Sequence, residues 1–194
     1  MSNSLKKKRE MGNMEQTSKK GLTLVFTGDG KGKTTSAIGL AVRAVGRGLK
    51  VKIFQFIKSP QRSYGEQIAL EKIGVEMVQL GTGFTWTKTP EEHREALKKA
   101  WPIAKEAVMS GEFDIVVLDE LNNALAIDKF PIDDVLPLNE VIELIKNKPE
   151  HVHLVITGRG AKQEVKDIAD LVSVIDAEKH YYDEGIPAVK GIEF

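Results

Sequence analysis

Short apolar runs alternate along the chain with longer stretches of helical spacing. Leu22 to Phe26, Val51 to Phe56, Val75 to Leu80, Ile115 to Asp119, Val152 to Thr157 and Leu171 to Ile175 each read as a strand of the kind a doubly covered sheet buries. Ala37, Leu40, Ala41, Ala44 and Val45 recur at helical spacing after Lys33, and Gly46 with Gly48 supplies the stop. The pattern also predicts the end of a helix over Gln67 to Ile73, a long amphipathic helix from Pro90 to Met109, a helix from Val135 to Lys146 and another after Gly160. Strands separated by helices predict a single α/β domain, a mostly parallel sheet with helices on both faces, over residues 21–194. Residues 1–20 carry Lys6, Lys7, Lys8 and Arg9 and few large apolar groups, so they read as a flexible basic arm.

Composition narrows the class. A length of 194 residues suits one domain, and no segment offers about 18 uninterrupted apolar residues for a membrane span. The 28 basic and 28 acidic side chains cancel, so no global field draws the chain to nucleic acid. The absence of cysteine removes disulfides, thiolate metal sites and thiol nucleophiles together. The basic start is not followed by an apolar run of signal-peptide type, and the expected location is the cytoplasm.

Between the first strand and the first helix lies Gly28-Asp29-Gly30-Lys31-Gly32-Lys33-Thr34-Thr35, a glycine-rich phosphate loop that makes this a P-loop, RecA-like domain. Backbone amides and a helix start bind phosphate, Lys33 supplies positive charge, the Thr34 hydroxyl is placed to ligate Mg²⁺, and Thr35 adds a donor. The usual first glycine of such a loop is replaced by Thr27. The strand that ends in Asp119 and Glu120 places two acids at the carboxyl edge of the sheet, where ligands of open α/β folds bind, and both are assigned to the metal environment. Either acid alone would also suit a helix start for dipole reasons.

Gly81-Thr82-Gly83 leads into Phe84 and Trp86, a loop that either presents apolar area to a ligand or plugs the end of the core. Arg159, in a glycine-flanked turn, is a candidate for a phosphate or a bound ligand. His151 and His153 share a strand face without a third ligand, a poor metal site. The charges Glu91, Glu92, Lys98 and Lys99 read as the solvated face of the long helix. From these residues alone a small-molecule kinase and a RecA-like ATPase or nucleotide switch stay open.

The loop from Phe26 to Thr35 together with Gln55-Phe56-Ile57-Lys58, Thr82 to Trp86, Val117 to Leu121, Thr157 to Gly160 and the ending Gly191 to Phe194 resembles the P-loop family of ATP:corrinoid adenosyltransferases, from about Gly21 onward. The family's variant loop accounts for Thr27, although the position of Asp29 often holds Asn there. The resemblance implies transfer of the 5′-deoxyadenosyl group of ATP to the cobalt of cob(I)alamin or a precursor corrinoid, with release of tripolyphosphate. It implies Mg²⁺, with Mn²⁺ as an alternative, and an ATP held in reverse of the usual P-loop orientation. It gives Phe84 and Trp86 the role of shielding the lower face of the corrin, displacing its axial ligand. It also implies a homodimer whose amino-terminal arm covers a neighbouring active site, and a transient reductase or flavoprotein electron donor.

Overall fold

The structure, a computed structural model, describes residues 20–61, 63–83 and 88–193. Strands β1 (Thr23–Thr27), β2 (Val51–Gln55), β3 (Glu76–Gln79), β4 (Ile115–Asp119), β5 (His153–Thr157) and β6 (Leu171–Val174) form one sheet in the order β3-β2-β4-β5-β1-β6. Each of its pairings is parallel. The helices are α1 (Lys33–Val45), α2 (Gly65–Glu71), α3 (Pro90–Met109), α4 (Leu121–Leu125), α5 (Leu138–Asn147) and α6 (Gln163–Ile168).

Alternate residues of each central strand feed two cores. Ile53, Val117 and Val155 pack with Ala37, Ala41 and Ala44 of α1 and Leu70 of α2. On the opposite face Phe54, Val116, Leu118, Leu154 and Ile156 pack with Leu97 and Trp101 of α3, Leu121 of α4, Val141 of α5 and Val165 of α6. Small alanines let α1 lie close to the sheet, whereas the other face is filled by large side chains, each fully buried Leu or Ile contributing about 1.5–3 kcal/mol. Burial on both faces explains why the strands read as continuous apolar runs instead of alternating ones.

Three elements differ from the sequence pattern. The helix expected from Val135 starts at Leu138, because Pro137 excludes Leu136 from helical backbone, and residues 132–136 close a separate turn through Leu136 N–H to the Ile132 carbonyl, 2.8 Å. The short α4 and a 3₁₀ turn at Tyr181–Glu184 are too brief to display a period. The long α3 matches its expected span; Thr89 and Glu92 close a capping box at its start, and Lys99 pairs with Glu95 on its outer face. Among the described residues no helix is long and apolar enough to cross a membrane.

Because all strands run the same way, Thr27, Gln55, Asp119 and Thr157 finish at one edge of the sheet, with Gln55 beside Asp119 and Phe26 beside Thr157 in register. The phosphate loop rises from that edge.

Candidate active site

The loop leaves β1 at Thr27 and enters α1 at Lys33 through Gly32, whose φ of 126° lies in the left-handed region that glycine supplies without strain. No side chain caps the start of α1, which leaves its first-turn amides available to an anion. The Lys33 ammonium donates to the Gly30 carbonyl at 2.6 Å. Burial, then the neighbouring Arg159 charge, holds its pKa below the usual lysine value. Thr35 is exposed on the first turn of α1.

The floor of the site is a closed hydrogen-bond system around Asp119, which is 1% exposed. Its Oδ1 accepts from the Thr34 hydroxyl at 2.8 Å and the Thr157 hydroxyl at 2.6 Å, and its Oδ2 accepts from Gln55 Nε2 at 2.9 Å. Thr157 Oγ1 in turn accepts the Glu120 amide at 2.9 Å. One carboxylate thus joins the loop, β2, β4 and β5. Buried charge of this kind is tolerated because each oxygen has donors.

Glu120 is the opposite case. Among the described residues it is the non-glycine residue with positive φ, 61°, a conformation that costs about 1 kcal/mol. Its Oε2 is buried without a hydrogen-bond partner. Burial and the adjacent Asp119 charge push its carboxyl up to about 7. Nearby, Lys58 pairs with Glu66 at 2.7 Å and lies 4.6 Å from the centre of the Tyr64 ring. Burial opposes its charge, but Asp119, Glu66 and Glu120 outweigh that and raise its pKa.

A hard divalent cation fits this donor set. Thr34, Asp119 and Glu120 offer oxygen ligands only, and the buried Glu120 Oε2 has no hydrogen-bond partner, although the Lys58 and Lys33 charges act on its carboxyl. Among the described residues no three His, Asp or Glu side chains cluster as a self-sufficient metal site, so water and nucleotide phosphate would complete the shell.

Arg159 reaches the loop from the β5–α6 turn: its guanidinium donates to the Asp29 carbonyl at 3.3 Å and lies 3.9 Å from the Asp29 carboxylate, while its amide donates to Asn123 at 2.9 Å. Thr27, the departure from the usual loop, accepts the Ala161 amide at 3.3 Å and so ties β1 to the same turn. Phe84 and Trp86 lie outside the described residues, as does the arm up to residue 19. The base of the aromatic loop is described, with Gly83 donating to the Ile57 carbonyl at 2.9 Å and Thr82 hydrogen-bonded to His93 at 3.2 Å. His153 accepts the Leu22 amide at 3.0 Å, and His151 bonds the Gly111 carbonyl at 3.0 Å, so both ring systems serve the scaffold.

Gln55, Thr157, Lys58 and Asn123 were given no role from sequence. Gln55 and Thr157 carried the same signal that singled out Asp119, a polar residue closing an apolar strand at the carboxyl edge. Lys58 closes the family-like motif Gln55-Phe56-Ile57-Lys58, which carries no role for it, and nothing local distinguishes Asn123.

A parallel sheet of this order with a phosphate loop after β1 and acids after β4 defines a P-loop nucleotide-binding protein. The family model for ATP:corrinoid adenosyltransferase BtuR/CobO/CobP matches residues 19–194. The corrinoid adenosyltransferase of Escherichia coli K12 is 42% identical over 176 residues, 90% of this chain and 86% of that protein. That of Salmonella typhimurium is 43% identical over 176 residues, with the same coverage, and that of Pseudomonas aeruginosa is 38% identical over 179 residues, 90% of this chain and 84% of that protein. The chain belongs to the ATP:corrinoid adenosyltransferase family. Family membership sets aside the kinase and nucleotide-switch readings.

Proposed function

We propose that this chain transfers the 5′-deoxyadenosyl group of ATP to the cobalt of a reduced corrinoid. The electron pair of Co(I) forms the bond to C5′, the C5′–O bond breaks, and its pair leaves with tripolyphosphate. Cobalt is the nucleophile and the leaving group is already anionic, so no general base is required; the protein must align the reactants and stabilise growing negative charge.

The observation that carries this reading is the hydrogen bond from Thr34 to Asp119, which joins the phosphate loop to the acid pair. Lys33, now held on the Gly30 carbonyl, exchanges that acceptor for phosphate oxygens, and the first-turn amides of α1 add fixed donors. Arg159 brings a second cation to the loop beside Asp29. Thr34, Asp119 and Glu120 would hold Mg²⁺, or Mn²⁺ in its place, which when bound supplies charge neutralisation for the polyphosphate. Phe84 and Trp86 shield the lower corrin face from water, and the Gly81–Gly83 base ties their loop to the end of β2. The protein acts as a cytoplasmic homodimer, the 1–20 arm covers the neighbouring site, and a reductase or flavoprotein supplies the electron.

Anaerobic incubation of the protein with ATP, Mg²⁺ and chemically reduced cobalamin tests the proposal. Adenosylcobalamin, seen in the corrin absorbance, together with tripolyphosphate is the expected result. ADP with an unchanged corrin spectrum would overturn it.

A further inference from the structure

The phosphate loop is braced from behind by the segment that follows β6. The Ile175 amide donates to the Thr27 carbonyl at 2.8 Å, and the Gly30 amide donates to the Ile175 carbonyl at 2.7 Å. A Cβ on Gly28 would lie 2.5 Å from the Ile175 carbonyl oxygen, and one on Gly30 would lie 2.6 Å from the Asp176 carbonyl carbon. These contacts are with backbone, which cannot rotate away as a side chain can. The two glycines are therefore required by the protein's own chain, apart from any need for phosphate to approach closely.

From Asp176 the segment runs largely exposed through local turns. It then returns to the loop, where Glu193 Oε2 lies 3.0 Å from the Lys31 ammonium, with the two side chains 27% and 34% exposed. Glu193 is oriented by its own amide, which donates to the Val189 carbonyl at 2.8 Å. A contact across 162 positions of sequence thus ends on Lys31, the loop lysine that precedes the start of α1 and lies between Gly30 and Gly32. A flexible lysine stem in a glycine-flanked turn has many rotamers, and a partner that selects among them sets where its charge is presented.

We propose that Glu193 is a positioning residue of the ATP site: through Lys31 it ties the segment after β6 onto the phosphate loop and fixes where the Lys31 ammonium meets the triphosphate. The ammonium has three donors, so it can keep Glu193 and still meet a phosphate oxygen. The inference rests on the ATP-binding reading above and adds to it a residue outside the loop.

The test compares wild type, Glu193→Gln, Glu193→Asp and Glu184→Gln in the full chain, with MgATP binding by calorimetry, steady-state adenosylation, and hydrogen exchange of peptides covering the loop. Glu184, which pairs with Lys179 in the same segment, is the control. For Glu193→Gln the expected result is a Kd and KM for ATP raised about three- to fivefold, the size of a partly exposed ion pair, with kcat unchanged. Exchange over residues 28–32 should quicken, Glu193→Asp should recover part of the affinity, and Glu184→Gln should match wild type. Equal ATP affinity in wild type and Glu193→Gln, or an equal loss in Glu184→Gln, overturns the positioning role. Failure of wild type to bind MgATP at all overturns the underlying ATP reading instead.

Discussion

The floor and the rim of the site are built on different physical terms. On the floor, Asp119 is buried and accepts from Thr34, Thr157 and Gln55, so its charge is held by short hydrogen bonds to neutral groups. On the rim, Lys31, Lys33 and Arg159 use partners that a nucleotide can replace or join: a carboxylate, a loop carbonyl, and the backbone and side chain of Asp29. On the proposed reading the floor serves stability and function together, whereas the rim stores positive charge at little structural cost. Glu120 sits on the boundary, a buried acid without the donors its neighbour has.

Asp119→Ala gives the largest expected effect, because it strands three donors at once, of which those of Gln55 and Thr157 are buried and that of Thr34 half-buried. Unfolding in urea should show a loss of about 2–4 kcal/mol, and adenosylation should fall by about a hundredfold or more. A stability loss no larger than that of a rim variant would erase the distinction. Lys33→Ala should separate the two quantities, with turnover down about a hundredfold and stability changed by about 0.5 kcal/mol or less. A large loss of stability there would make the lysine part of the floor.

Glu120→Gln, studied in EDTA without nucleotide, locates the boundary. Burial raises the folded-state value to about 7 from an ordinary 4.5, so the folded protein holds this proton more tightly than the unfolded chain does. That contribution is fully present below about pH 4.5 and is lost as pH rises through 7. Wild type should therefore lose stability relative to Glu120→Gln between pH 5 and pH 8, by about 1–3 kcal/mol, seen as diverging Tm values. Parallel curves would mean that the carboxyl is solvated. Smallest of all, Arg159→Ala should raise KM for ATP by about three- to tenfold and leave urea stability within about 0.5 kcal/mol.

The sheet, the phosphate loop and the acids of β4 were legible because each announces itself within a few residues. A buried strand is a short apolar run, α1 repeats its alanines every third or fourth position, and Gly32-Lys33-Thr34 stands where strand turns to helix. The start of α5 was misplaced because the apolar pattern runs through Pro137 while the backbone does not. The short α4 escaped because five residues hold too little periodicity.

The sequence by itself determined the period of each element, the chemistry of the loop and, through its motifs, the family. Tertiary structure decided which strand ends meet. Asp119 gains Gln55 from 64 positions away and Thr157 from 38, and Lys31 gains Glu193 from 162. Periodicity is a local property, fixed by 3.6 or 2 residues per repeat, whereas strand order depends on where each helical crossover returns the chain. Hydrogen bonds across strand ends, and the charges they orient, exist only once that order is set.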